Sequence, residues 1–322
     1  MSDKSICTYQ LGDSRLCLHF AGQSLRLMLT EAFAHLSIPD VAPELTIRVW
    51  DSTEQQLPLP PLDWRQLHSN GYRGYSEGAY HFHYFDSIGA LSFLNLEENL
   101  AYYIVRDAQT LPWWVRGSPL QVILGVWLRS RGSQLTHVGA VGDETKCVLL
   151  AGKGGSGKTT TTLSCVLEGL NYLGEDYCLL TPGKDSMVHS VYQSAKWTPQ
   201  TRRFYPEYER FVVNESSDPS EKSLLFYKDI FPERIKAKSQ ASAIISLSVG
   251  DELKPKIFES DIGTSLKNLS FSTIQQLPFF DQKTVFLLQQ FSKLLPHYQM
   301  QLGRDRMSNV EAIKALLSGT QS

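Results

Sequence analysis

The chain has 322 residues, 42% hydrophobic and 20% charged, with a formal net charge of −2. That size and balance fit one large domain or two ordinary ones around a sizeable core. The near-neutral charge, with no Lys/Arg block, excludes the electrostatic footprint of a nucleic-acid partner.

Taken in chain order, the first segment reads as β-rich. Asp3, Lys4, Asp13 and Arg15 interrupt its apolar residues, so no signal peptide is expected. Leu16, Leu18 and Phe20 share one face of a strand over Ser14–Phe20, and Leu45, Ile47 and Val49 do the same over Leu45–Trp50. Pro58-Leu59-Pro60-Pro61 is a stiff connector. Paired strands are expected at Gly71–Tyr75 and Ala79–Phe85, and another at Ala101–Val105 after a turn at Glu97-Glu98-Asn99. The simplest arrangement is a small antiparallel unit over residues 1–110.

The texture then changes, and residues 111–322 read as a second domain. Val122, Ile123, Val126 and Trp127 have helical spacing within Leu120–Arg131, with Gly132 as the C-cap. Two apolar runs, Thr136–Val141 and Cys147–Ala151, flank the turn Gly142-Asp143-Glu144 and read as a hairpin. A helix over Lys158–Leu170 and a short strand broken at Gly174-Glu175-Asp176 follow. Mixed strands and loops come next, with a polar stretch at 214–222, then helices over Asp281–Leu295 and Val310–Leu317. Five scattered cysteines without CxxC spacing read as reduced, buried thiols and point to a cytoplasmic protein. No apolar run approaches the ~18–20 residues of a membrane helix, so no membrane partner is expected.

The strongest motif is Gly152-Lys153-Gly154-Gly155-Ser156-Gly157-Lys158-Thr159, followed by Thr160. The glycines allow a tight turn in which successive N–H groups face phosphate oxygens, and the loop opens a helix whose N-terminus favours anions. Lys158 is placed to reach the β and γ phosphates, and the Thr159 hydroxyl to bind Mg²⁺. The expected ligand is ATP with Mg²⁺, cradled by Gly152, Lys153, Gly154, Gly155, Ser156, Gly157, Lys158, Thr159 and Thr160. Behind the loop, Glu175 and Asp176 supply carboxylates for a metal and for a proton. His137 precedes the loop on an apolar run, where a histidine by itself more often has a structural place.

Leu135-Thr136-His137-Val138-Gly139-Ala140-Val141, the loop, and Leu173-Gly174-Glu175-Asp176 together resemble the HPr kinase/phosphorylase family, and more broadly the HPr-kinase-related proteins. The resemblance spans roughly Pro112–Leu317, with Ser194-Ala195-Lys196-Trp197 similar to a later segment of that group. It implies an α/β (mixed α+β) fold: a P-loop kinase domain of the HPr kinase/phosphoenolpyruvate carboxykinase type around a mixed sheet, beside the smaller β-rich unit. It also implies a kinase that moves the γ-phosphoryl of ATP to a hydroxyl of a peptide, protein or small molecule. Glu175, at the position of the family's first Asp, is the implied proton acceptor. Thr159 and Asp176 are the implied metal residues, His137 lies at the site, and Lys196 lies near substrate or nucleotide. The Arg-Gly-rich C-terminal signature of the enzymes that act on HPr is missing here, so another acceptor is expected. A homo-oligomer would be in keeping with the family. The alternative is an ATP-binding regulatory or interaction module without transfer activity.

Weaker features have ordinary explanations. His81 and His83 share a strand face and could bind a metal, but a solvated face is the simpler expectation. Trp113-Trp114 reads as packing. Arg202, Arg203, Arg304 and Arg306 could each contact a phosphoryl group, and sequence does not choose among them.

Overall fold

Alternating apolar residues build most of the first sheet. The computed structural model describes residues 5–57, 72–214, 218 and 220–319. Pro58–Pro61, Gly71 and part of the polar stretch 214–222 lie outside the described residues. The chain divides into two units. One runs to Arg131 and takes back Leu277–Phe280; the other holds Gly132–Gln276 and continues from Asp281. The sequence expectation put the division at residue 110. In the structure the helix after Pro112 stays with the first unit.

The first unit contains β1 (Ile6–Leu11), β2 (Ser14–Phe20), α1 (Ser24–Thr30), β3 (Ser37–Ile38), β4 (Leu45–Asp51), α2 (Ser52–Gln55), β5 (Tyr72–Glu77), β6 (Tyr80–Phe85), β7 (Ala90–Asn95), β8 (Leu100–Val105), α3 (Trp113–Gly117) and α4 (Gln121–Ser130). The sheet order is β3-β1-β2-β4-β8-β7-β6-β5. It is mixed, not antiparallel as expected: β4 runs parallel to both β2 and β8. The chain leaves β2 through α1 and a short 3₁₀ turn, and such a crossover returns the next strand in the same direction. The hairpins β5–β6, β6–β7 and β7–β8 are antiparallel, as tight turns require.

The second unit contains β9 (Gln134–Thr136), β10 (Gly139–Gly142), β11 (Lys146–Ala151), α5 (Lys158–Leu167), β12 (Asn171–Gly174), β13 (Cys178–Thr181), β14 (Met187–Ser190), β15 (Ser194–Trp197), α6 (Pro199–Phe204), β16 (Ser223–Phe226), β17 (Lys238–Val249), β18 (Lys256–Glu259), α7 (Ile262–Gln276), α8 (Gln282–Ser292), β19 (His297–Leu302) and α9 (Arg306–Ser318). The main strand order is β12-β10-β11-β17-β14-β13-β9, with β19 paired to the second half of β17 and β18 outside it. The expected hairpin is present as β10–β11. The strand carrying the acidic pair, β12, pairs with β10 and not with β11, the strand that feeds the loop.

Both faces of this sheet are covered. Val148 and Leu150 of β11 join Leu163 and Val166 of α5 and Val310 and Ile313 of α9 in one core. The alternate residues Cys147, Leu149 and Ala151 join Leu269 of α7 and Leu288 and Phe291 of α8 in the other. Successive strand side chains point to opposite faces, so a strand buried on both sides reads as an unbroken apolar run, as Cys147–Ala151 does. The protein is thus a mixed α/β structure. β11, β17 and β19 run parallel, so their C-terminal ends lie along one edge of the sheet. In open α/β sheets that edge is where ligands bind.

Candidate active site

The glycine-rich loop leaves this edge from Ala151 and enters α5 at Lys158. Three of its glycines have positive φ: Gly152 at 152°, Gly155 at 81° and Gly157 at 94°. These conformations admit glycine and strain other residues, which is why the spacing recurs as Gly-x-x-Gly-x-Gly. A Cβ at Gly152 would also stand 3.0 Å from the carbonyl oxygen of Leu247. Gly157 occupies the N-cap of α5 and offers no side chain to the helix's first N–H groups. Lys153, Gly154 and Gly155 are exposed at the mouth of the loop, and Ser156 is buried beneath it. Lys158 folds back over the loop, its Nζ donating to the carbonyl oxygens of Gly152 at 2.5 Å and Lys153 at 3.3 Å. Burial lowers the Lys158 pKa, opposed by the charges of Asp176 and Glu175.

The acidic pair arrives from the end of β12. Gly174 is needed there because a Cβ would come within 2.5 Å of Cys178 Sγ and 2.8 Å of the Tyr177 carbonyl oxygen. Glu175 is buried, with 2% of its surface exposed. Its Oε1 accepts the backbone N–H of Lys196 at 3.1 Å. Oε2 is buried with no hydrogen-bond partner. Burial pushes the Glu175 pKa up to about 7, with Asp176 adding to the rise and the Lys196 N–H and Thr159 hydroxyl opposing it.

Asp176 behaves oppositely. Its Oδ1 lies 2.7 Å from His137 Nε2 and its Oδ2 2.6 Å from Lys196 Nζ. Burial would raise its pKa, but Lys196 and then His137 override that and hold the carboxyl well below the usual carboxylate range. His137 sits between β9 and β10, fixed by its backbone. Its N–H donates to Thr273 Oγ1 at 3.2 Å, and its carbonyl accepts from Ser272 Oγ at 3.1 Å, both on α7. The Tyr177 ring packs edge-on to His137 at 5.4 Å and lies under the Lys196 ammonium at 5.7 Å.

The structure therefore joins Glu175, Asp176, His137 and Lys196 in one hydrogen-bonded network, while Lys158 bonds only to the loop carbonyls and feels the two acids through their charge. Thr160 lies apart from it: its hydroxyl is 3.0 Å from that of Thr201 on α6. Tyr177, Ser272 and Thr273 also meet His137, and their residue types carry no chemical signal until the fold sets them there. Lys222 joins the surroundings of the site through its charge, which acts on both Lys158 and Glu175.

Other candidates resolve differently. His81 and His83 do not form a solvated face. Both rings pack edge-on to Phe279, and burial lowers the His83 pKa to about 4. No cluster of three or more metal-binding His, Cys, Asp or Glu residues occurs among the described residues. Trp114 packs against Phe85 at 5.5 Å. Arg202 is paired with Glu209, and Arg306 stacks on Phe204. The five cysteines are free thiols, four of them buried. Among the described residues no helix is long and apolar enough to cross a membrane.

No family model matches the chain, and no curated protein matches it. Among solved structures, the chain is similar to the Hpr(Ser) kinase/phosphatase from Coxiella burnetii, with a TM-score of 0.32 and 10% sequence identity, over 58% of this chain and 95% of that one.

Proposed function

We propose that the second unit is an ATP-dependent kinase of HPr-kinase-like type, transferring the γ-phosphoryl group to a hydroxyl of a peptide, protein or small molecule other than HPr. The observation that carries the proposal is the buried Glu175 carboxyl. One oxygen accepts the Lys196 N–H, the other is buried without a partner, and burial pushes its pKa up to about 7. A carboxylate poised near neutral pH is suited to take a proton from an attacking hydroxyl. The loop amides and Lys158 are suited to hold the triphosphate and its growing charge.

The residues also fit a hard cation. Thr159 offers a hydroxyl, and Asp176 stays ionised with lone pairs to spare beyond its bonds to His137 and Lys196. Mg²⁺ held there would neutralise charge on the phosphates. His137 and Lys196 keep Asp176 ionised and in place. Glu175 removes the acceptor's proton as its oxygen attacks the γ-phosphorus; the bond to the β-phosphate oxygen breaks and ADP leaves.

The test is incubation with γ-labelled ATP and a panel of hydroxyl acceptors, comparing the wild type with Lys158→Ala and Glu175→Gln. Label should reach an acceptor with the wild type and fall to background with both variants. Tight ATP binding with no acceptor labelled, together with partner binding that follows ATP and survives Glu175→Gln, would instead establish a nucleotide-dependent interaction module.

A further inference from the structure

Two contacts tie α6 and α9 to the glycine-rich loop. The Thr160–Thr201 hydroxyl contact sets α6 beside the first turn of α5, and one turn later Ser164 Oγ meets Tyr205 OH at 2.8 Å. On the other side Leu302, the last residue of β19, abuts Gly157 so closely that a Cβ there would clash with it. The next residue, Gly303, is gripped by the Asn309 side chain. It donates its N–H to Oδ1 at 2.8 Å and accepts from Nδ2 at 2.9 Å. This grip sets the start of α9, where Arg306 lies.

The two approaches meet in one stack. The Arg306 guanidinium is 4.3 Å from the ring centre of Phe204 and 5.2 Å from that of Tyr205. Phe204 remains 38% exposed. Planar guanidinium on an aromatic ring, still open to solvent, is the kind of surface on which nucleobases stack. Neither residue bonds to Glu175, Asp176, His137 or Lys196, so the stack has no place in the transfer step. A nucleotide whose γ end lies with Lys158 must carry its base away from the acids, and the stack is tied to the loop helix by Thr201 at Thr160 and Tyr205 at Ser164, and through Leu302 to Gly157.

We infer that Phe204 and Arg306 form a shelf for the purine base of the nucleotide whose phosphates the loop holds. The inference rests on the nucleotide-binding part of the function proposed above and adds the subsite that recognises the nucleoside. Stacking accepts any purine face, so the shelf favours ATP over bare triphosphate more than it separates ATP from GTP.

The experiment titrates ATP–Mg²⁺ and tripolyphosphate–Mg²⁺ into the full-length wild type and into Phe204→Ala, Arg306→Ala, Phe204→Trp and Lys158→Ala. Phe204→Ala and Arg306→Ala are expected to weaken ATP binding roughly tenfold and to leave tripolyphosphate binding unchanged, which also shows that the variants are folded. Phe204→Trp should retain ATP affinity and lose indole fluorescence with ATP but not with tripolyphosphate. Lys158→Ala should weaken both ligands. Unchanged ATP affinity in Phe204→Ala and Arg306→Ala, or equal losses for both ligands, overturns the shelf. A wild type that binds neither ligand overturns it together with the nucleotide site. A selective loss for ATP in a protein that transfers no phosphoryl group supports the shelf and defeats the kinase alone.

Discussion

Lys196 holds both members of the acidic pair at once: its ammonium is 2.6 Å from Asp176 Oδ2, and its backbone N–H donates to Glu175 Oε1 at 3.1 Å. The two bonds come from different parts of the residue, so substitution can separate them. Lys196→Met keeps the amide at Glu175 and removes the cation from Asp176. The expected result is at least tenfold slower transfer, with stability lower by about 1–3 kcal/mol, discounted from a fully buried pair because Asp176 is part exposed. Steady-state kinetics and urea denaturation of the same samples check both numbers.

Glu175 makes stability depend on pH in a defined direction. Its folded pKa of about 7 lies above the ordinary 4.5. Between those values the folded protein keeps a proton that the unfolded chain releases. The stabilisation is therefore complete below about 4.5 and lost as pH rises through about 7. The difference amounts to ~3 kcal/mol. Denaturation at pH 5 and pH 8 should show this slope in the wild type and its loss in Glu175→Gln. Asp176 has the reverse sign, its contribution falling away only in acid below the usual carboxylate range.

Catalysis should run against that slope. A proton acceptor works when ionised, so the transfer rate should climb with pH through about 7. A rate profile flat from pH 5.5 to 8.5 in the wild type would remove Glu175 from the role.

Lys158→Ala should lower transfer by roughly 10²-fold or more, the scale expected when one donor to developing charge is lost. The unfolding midpoint should move little, because the carbonyls that Lys158 bonds belong to Gly152 and the exposed Lys153 at the mouth of the loop. A calorimetric scan beside the activity assay separates the two effects.

Gly174→Ala should cost about 1–3 kcal/mol through overpacking, since the new Cβ would press on Cys178 Sγ and the Tyr177 carbonyl. It should also slow transfer by displacing Glu175. Thermal melts with a residual-activity measurement at low temperature report both.

The loop was legible in the sequence because its constraints are local: glycines with positive φ and a lysine one helical step later are requirements of the backbone itself. The acidic pair and His137 were legible as a pattern, but not their partners. Which carboxylate meets Lys196 depends on β15 folding across the end of β12, and no spacing encodes that. α7 was missed for a physical reason. It buries Ser265, Ser272 and Thr273 around Leu269 and leaves Phe271 and Ile274 about half exposed, so its apolar pattern is nearly inverted. In β17, serines alternate with apolar residues through much of a strand that lies inside the sheet. The parallel pairings of β4 were hidden because they join segments separated by crossovers.

The position of β17 also governs the order in which the protein can assemble. One edge of β11 is closed by β10 within a hairpin, but the other waits for residues 240–246 of β17. While the chain is being synthesised, His137, Lys158, Glu175, Asp176 and Lys196 all emerge before that strand. Until then Val148–Ala151 presents an open, apolar edge, which is prone to pair with other chains. The loop it carries has no fixed base until the ribosome has passed residue 249.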